Sequence, residues 1–90
     1  MIRHYNIRVF GNVQGVSFRY LGKMMAGKLG ITGLIRNEPD GSVYIEAEGG
    51  KAALKKFVDW CKGGPLHARV TKIEVKERTA AGYTNFEISS

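Results

Sequence analysis

The sequence is poor in the features that mark disulfide-bonded, metal-binding and membrane proteins. It contains one cysteine, Cys61, so no disulfide can form within the chain. No apolar run approaches the roughly 20 residues of a membrane-spanning helix, and the N-terminal residues lack the apolar block of a signal peptide. His4 and His67 stand apart from each other and from Cys61, so no zinc-site spacing is present. We therefore expect a soluble, cytoplasmic protein with no metal, no cofactor and no membrane contact.

Acidic residues are also scarce, with 8 Asp and Glu against 14 Lys and Arg, and the formal net charge is +6. Such a charge suits an anionic partner, which could be a phosphate compound, a nucleic acid or an acidic membrane surface. Because the basic residues are scattered along the chain, the charge is equally typical of an ordinary soluble protein. The length of 90 residues, 43% of them hydrophobic, predicts one folded domain over residues 1–90.

The hydrophobic pattern predicts two helices and five strands. Residues 3–10 alternate between apolar and polar side chains, which indicates a half-buried strand. Apolar residues then recur at helical spacing from Phe18 to Leu29, with Met24 among them, and a second amphipathic stripe covers residues 54–61. The other strands are expected at residues 32–37, 42–48, 69–78 and 86–88.

The order of these elements is β-α-β-β-α-β with a short C-terminal strand. It predicts the α+β, ferredoxin-like βαββαβ sandwich, in which two helices cover one face of an antiparallel sheet. A helix crosses over between the first two strands, so these strands point the same way and end at the same sheet edge. The loop after the first strand and Asn37, at the end of the second, should therefore converge in space.

Residues 11–19 join the first strand to the first helix and have the composition of an anion site. Gly11 and Gly15 allow successive backbone N–H groups to curl into a nest, and free N–H groups of a helix start attract anions. Arg19 lies in the first helical turn, where the dipole disfavours a cation unless an anion lies between them. The lysine of a nucleotide P-loop is missing. On the residues alone, an ordinary glycine turn with a solvated Arg19 stays equally open.

Two stretches of the chain resemble the signatures of the acylphosphatase family. Residues 9–19, VFGNVQGVSFR, are similar to its first signature, G-x-V-Q-G-V-x-F-R. Residues 33–37, followed by residues 41–43, are similar to its second signature, G-aromatic-V-x-N-x-x-x-G-x-V. Leu34 replaces the usual aromatic residue and Ile35 the usual valine, differences that concern packing beside the site. The resemblance covers essentially the whole chain.

The resemblance implies a hydrolase that cleaves acyl phosphates to a carboxylate and inorganic phosphate, without metal, cofactor or covalent intermediate. It implies that Arg19 binds the phosphoryl group and that Asn37 orients the attacking water. Backbone amides of the loop are expected to share in phosphate binding; they belong to Val13, Gln14, Gly15, Val16 and Ser17. The expected partners are the acyl phosphate and inorganic phosphate alone, and we expect a monomer.

Two other function classes fit the same fold. An RNA recognition module should carry base-stacking aromatic residues on its third strand. Here that strand offers Tyr44 together with Glu46 and Glu48, which we expect on the open sheet face, where they would repel phosphate. We therefore expect no nucleic-acid partner. The other class is a non-catalytic acylphosphatase-like domain that binds anions or regulates; the presence of both Arg19 and Asn37 favours the enzyme.

Five further polar or reactive side chains receive ordinary structural interpretations. His4 and His67 are expected to be surface histidines, and Cys61 falls on the apolar stripe of the second helix, which predicts a core position. The side chain of Gln14 is expected to brace the loop. Arg36 precedes Asn37 and should point to the opposite face of its strand.

Overall fold

The structure is a computed structural model that describes residues 1–89, which form five strands and two helices. The elements are β1 (Arg3–Asn12), α1 (Phe18–Leu29), β2 (Thr32–Asn37), β3 (Val43–Gly49), α2 (Lys51–Gly63), β4 (Arg69–Arg78) and β5 (Phe86–Ile88). The predicted order of elements is confirmed. β1 continues two residues beyond the predicted alternation, and its pairing with β4 shifts register between Phe10 and Gly11. Neither helix is long and apolar enough to cross a membrane.

The five strands form one sheet in the order β4-β1-β3-β2-β5. β1 and β2 both pair antiparallel with β3, so they run in the same direction and end at the same edge, as predicted. β5 pairs parallel with β2, so the sheet is mixed and not antiparallel throughout. The connection from β4 to β5 leads from one sheet edge to the other, which lets β5 enter beside β2 in the same direction. The ferredoxin-like α+β fold is confirmed.

Both helices pack on one face of the sheet and enclose the core. A row of fully buried isoleucines crosses the three central strands, because the register places Ile45 opposite both Ile7 and Ile35. Phe57 and Cys61 of α2 are equally buried, which confirms the core position of the cysteine. This burial raises the pKa of the Cys61 thiol. Each large apolar side chain buried in this way stabilises the fold by about 1.5–3 kcal/mol.

Helix α1 approaches the sheet through small residues. A Cβ atom on Gly22 would lie 2.9 Å from Ile35 Cδ1, so the glycine permits the close contact. The buried line of the helix runs through Phe18, Gly22 and Ala26. Met24 lies about 200° around the helix axis from Gly22 and is 45% exposed, so its predicted place in the packed stripe is wrong.

The opposite face of the sheet holds a buried acid–base pair, and two predictions fail there. His4 and Glu48 are only 2% and 3% exposed, so neither is the surface residue that the alternation indicated. His4 Nδ1 lies 2.7 Å from Glu48 Oε2, and the Tyr83 ring stacks on His4 with centroids 5.9 Å apart. The connection from β4 to β5 covers the pair, because the backbone N–H groups of Ala81, Gly82 and Tyr83 donate to the Glu48 carboxylate.

The pKa of Glu48 reflects two opposing effects. Burial alone would raise it, since a charged carboxylate loses its hydration. The Ala81 amide, the His4 ring and the amides of Tyr83 and Gly82 outweigh burial, and together they hold the pKa of Glu48 below its ordinary value. The carboxylate therefore fastens this connection to the sheet as an anion.

Candidate active site

The loop after β1, the first turn of α1 and the end of β2 meet at one sheet edge, where the strand directions predicted their convergence. They line a cavity of about 380 Å³, a size typical of small-molecule sites. The predicted site residues in its lining are Val13, Gly15, Ser17, Arg19 and Asn37. Gln14 and Val16 do not line it. Val16 packs against the core instead, and Gln14 acts on the neighbouring turn.

The loop backbone is left-handed at two alternate residues. Gly15 has φ 75°, and Ser17, with φ 63°, is the one non-glycine residue between Met1 and Ser89 whose φ is positive. Such a conformation costs a non-glycine residue on the order of 1 kcal/mol, and residues held in it cluster at functional sites. Left-handed residues within a turn direct neighbouring N–H groups into a concave anion site. Within residues 1–89, the N–H groups of residues 14–17 donate to no backbone carbonyl.

Helix α1 begins without the usual stabilisers of a helix N-terminus. The Ser17 side chain makes no capping hydrogen bond, and the first turn contains no acidic residue. Arg19, the second helical residue, places a cation where the helix dipole is unfavourable. An anion bound between the free N–H groups and the guanidinium would compensate both deficiencies.

Arg19 is half-buried, and its guanidinium makes no ion pair with the carboxylates of residues 1–89. Arg8 and Arg36, in contrast, share Glu38, with nitrogen–oxygen distances of 3.6 Å and 3.1 Å. Arg36 also lies over the Tyr44 ring, 4.6 Å from its centroid, on the sheet face away from the helices, as predicted. The planar fork of Arg19 is therefore available to a ligand from the cavity side.

Asn37 ends β2 with an unpartnered polar atom. Its Oδ1 is buried and, within residues 1–89, is the only buried side-chain nitrogen or oxygen without a hydrogen-bond partner. Buried polar atoms are nearly always paired, and an orphan of this kind points to a missing water, ion or ligand. Oδ1 is a hydrogen-bond acceptor, so the group that completes it must be a donor.

Gln14 holds the loop against the turn that follows β2. Its Nε2 donates to the carbonyl oxygens of Glu38 and Ser42, at 2.8 Å and 2.9 Å. The same turn is closed by the hydrogen bond from the Glu38 N–H to the Ser42 oxygen, at 2.9 Å. The predicted bracing role of Gln14 is confirmed, and it fixes the loop relative to Asn37.

The residues that line the cavity supply hydrogen-bond donors and include Asn37, whose Oδ1 is an unpartnered acceptor. Its lining has no carboxylate, imidazole or thiol, and across residues 1–89 no three such side chains gather into a metal-binding group. Neither histidine contributes to this cavity, and His67 is exposed in the loop before β4, as predicted. A guanidinium and a loop of free amides can hold a tetrahedral anion, and the Asn37 oxygen can direct one donor, such as a water molecule, toward it.

Three residues of the lining were not predicted from the sequence. Phe18 is buried, and its ring packs edge-to-face against the Trp60 ring, with centroids 5.2 Å apart. This contact fixes the first turn of α1. Tyr20 and Ile88 are 61% and 40% exposed and form the rim of the cavity. The adjacency of Tyr20 to Arg19 was visible in the sequence, whereas the position of Ile88 depends on the parallel pairing of β5 with β2.

Comparison with known proteins places the chain in a family. A family model described as Acylphosphatase matches residues 5–88. The acylphosphatase of Ligilactobacillus salivarius is 44% identical over 90 residues, covering 98% of this chain and 99% of that protein. The acylphosphatase of Thermotoga maritima is 48% identical over 82 residues, which is 91% of either chain. The crystal structure of acylphosphatase from Bacillus subtilis matches with a TM-score of 0.95 and 42% identity, over 100% of both chains.

Proposed function

This chain belongs to the acylphosphatase family and hydrolyses acyl phosphates, and we propose that it does so by direct attack of a water molecule on a phosphoryl group that the loop holds. One observation carries the proposal. The uncapped, arginine-bearing start of α1 lines the same cavity as Asn37, whose Oδ1 has no hydrogen-bond partner within residues 1–89. The first is suited to the substrate's phosphoryl oxygens and the second to its nucleophile.

In the proposed complex, Arg19 and the loop amides of residues 13–17 bind the phosphoryl oxygens. The guanidinium offers two parallel N–H donors, which match two of the phosphoryl oxygens, and the amides and helix dipole stabilise the remaining charge. Phosphoryl transfer depends largely on positioning and on electrostatic stabilisation, so these groups lower the barrier without a covalent intermediate.

The leaving group explains why so few side chains are sufficient. The carboxylate released from an acyl phosphate has a conjugate acid with a pKa of roughly 4, so it departs as an anion and needs no general acid. The attacking water donates a hydrogen bond to Asn37 Oδ1, which fixes its lone pair toward phosphorus, opposite the carboxylate. As the new oxygen–phosphorus bond forms, the bond between phosphorus and the carboxylate oxygen breaks.

The proton of the attacking water needs an acceptor. No carboxylate or imidazole lies in the described lining of the cavity. We therefore assign the proton to a phosphoryl oxygen of the substrate, and the products are the carboxylate and inorganic phosphate. The atoms balance without any further reactant.

We also propose that the protein is a cytoplasmic monomer with no nucleic-acid partner. Its single cysteine, Cys61, is free and buried, which fits the cytoplasm, where disulfides are rare. Against RNA binding, the face that such modules use is partly covered by the connection from β4 to β5. The Tyr44 ring there already packs against the guanidinium groups of Arg8 and Arg36, at 5.4 Å and 4.6 Å.

The test is release of phosphate from acetyl phosphate by the wild type, Arg19→Ala and Arg19→Lys. We expect kcat/KM to fall by roughly 10²-fold or more in Arg19→Ala, the scale on which a charge-stabilising donor acts. Arg19→Lys should retain more of the wild-type kcat/KM than Arg19→Ala but not all of it, since lysine keeps the charge but lacks the planar pair of N–H donors. Arg36→Lys, next to Asn37 on the other sheet face, is the matched control and should behave as wild type. A wild type that binds phosphate but releases none would indicate the non-catalytic alternative.

A further inference from the structure

The cavity has an apolar side that the phosphate mechanism does not use. Tyr20 and Ile88, 61% and 40% exposed, both line it. Large apolar side chains exposed in residues 1–89 are few, and only these two border this cavity. Exposed apolar side chains at a site of this size are typical of ligand contact.

The fold places both side chains next to the reacting groups. In the parallel pairing of β5 with β2, Ile88 lies opposite Ile35, on the sheet face that the helices cover. Asn37 follows Ile35 by two residues, so it lies on the same face of β2, one strand away from Ile88. Tyr20 follows Arg19 directly on α1. A phosphoryl group bound at Arg19, with its water at Asn37, therefore directs the rest of the substrate toward this apolar rim.

We propose that Tyr20 and Ile88 form an acyl subsite, which makes the protein selective for acyl phosphates whose acyl group is apolar and larger than acetyl. The inference rests on the proposed function, because it needs the phosphoryl group at Arg19. The methyl group of acetyl phosphate offers little apolar surface to either side chain. A longer aliphatic or aromatic acyl group would cover both and remove their surface from water.

The size of the effect follows from the shape of the site. In an enclosed pocket, one methylene group changes kcat/KM by about 10- to 200-fold. Here the two side chains form an open rim, so we expect a smaller gain of roughly 10-fold in total from acetyl phosphate to hexanoyl phosphate. This gain in kcat/KM comes from binding of the acyl group, and it is independent of the phosphoryl binding that Arg19 provides.

The experiment compares kcat/KM for acetyl, butyryl and hexanoyl phosphate, which are alike at the bond that breaks. The selectivity ratio, hexanoyl over acetyl, should be roughly 10 in the wild type and fall at least about threefold in both Ile88→Thr and Tyr20→Ser. Val75→Thr is the matched control, since Val75 is 41% exposed, lies on β4 and does not border this cavity. Its ratio should stay at the wild-type value. A ratio near 1 in the wild type, or one unchanged in both rim variants, would overturn the subsite.

A binding measurement separates failure of the subsite from failure of the proposed function. Methylphosphonate and hexylphosphonate carry the same anionic head and are not hydrolysed. We expect hexylphosphonate to bind about 10-fold more tightly and to shift the methyl resonances of Ile88, while the two affinities become similar in Ile88→Thr. Equal affinities in the wild type overturn the subsite whether or not any acyl phosphate is hydrolysed. Absence of turnover on all three acyl phosphates refutes the proposed function alone.

Discussion

Replacing Asn37 with alanine should separate catalysis from phosphate binding. The variant loses Oδ1, the buried acceptor to which we assign the attacking water. Removal of one positioned polar group from a transition state lowers kcat by roughly 10²- to 10³-fold, or about 2.7–4 kcal/mol. We propose that phosphate binds through Arg19 and the loop amides, so the inhibition constant for phosphate should change by less than about twofold. This change in binding free energy is far smaller than the roughly 1.4 kcal/mol that corresponds to a tenfold change.

The same substitution should not destabilise the fold. A buried acceptor without a partner costs about 1–3 kcal/mol, and alanine removes it. Part of this gain is offset by lost packing, so we expect the free energy of unfolding to stay the same or rise by up to about 1 kcal/mol. Loss of activity together with unchanged or higher stability is the signature of a residue kept for function.

Three measurements on each variant test the role of Asn37: kcat on acetyl phosphate, the inhibition constant for phosphate and the midpoint of urea unfolding. Arg19→Ala is the comparison, because it should lose phosphate binding. If Asn37→Ala loses phosphate binding as severely as Arg19→Ala, Asn37 is a binding residue and its assigned role fails. A wild-type kcat in Asn37→Ala would mean that another group holds the water. A fall in stability of several kcal/mol would make Asn37 a fold determinant.

Three further predictions follow from the same structure. The proposed site consists of a guanidinium and amides, so turnover on acetyl phosphate should be the same with and without EDTA; activity lost on chelation and restored by zinc or magnesium would contradict it. Gln14→Leu removes two hydrogen bonds to the turn at Glu38 and Ser42, so urea unfolding should show a loss of about 1–3 kcal/mol, and kcat should fall as the loop shifts from Asn37. Glu48→Gln should cost about 1.5–3 kcal/mol at pH 7. The folded pKa of Glu48 lies below its ordinary value of 4.5, so this stabilisation is present above pH 4.5 and is lost as pH falls through the folded pKa. If the wild type and Glu48→Gln lose the same free energy of unfolding on acidification, the stabilising role of the Glu48 carboxylate is disproved.

The strand directions and the site's location could be predicted because they depend on local pattern and on connection rules. The strands predicted at residues 32–37 and 69–78 match β2 and β4. A helix between β1 and β2 makes them parallel in direction, and this alone places residues 11–19 near Asn37. The loop's glycines and Arg19 then indicate an anion, and the family resemblance distinguishes that anion site from an ordinary turn.

The failures at His4 and Glu48 have one physical cause, which is that alternation does not tell whether the face of a strand without helices is covered. His4 and Glu48 are polar residues on the face without helices, and a segment with no apolar period covers them. The position of Ile88 depends on a parallel pairing that follows a long connection across the sheet. The orphaned Oδ1 of Asn37 is likewise the absence of a partner in three dimensions, which no sequence pattern encodes.

Titration with inorganic phosphate shows whether the loop of residues 13–17 and Arg19 bind the phosphoryl group. Backbone amide shifts should be followed by NMR in the wild type and in Arg19→Ala. A second helix start supplies an internal control, since α2 begins at Lys51 with no side-chain cap and no acidic residue in its first turn. We expect the largest shifts within residues 13–19 and their loss in Arg19→Ala. Larger shifts at Lys51 than in the loop would mean that phosphate binds elsewhere, and equal loop shifts in Arg19→Ala would mean that Arg19 does not hold it.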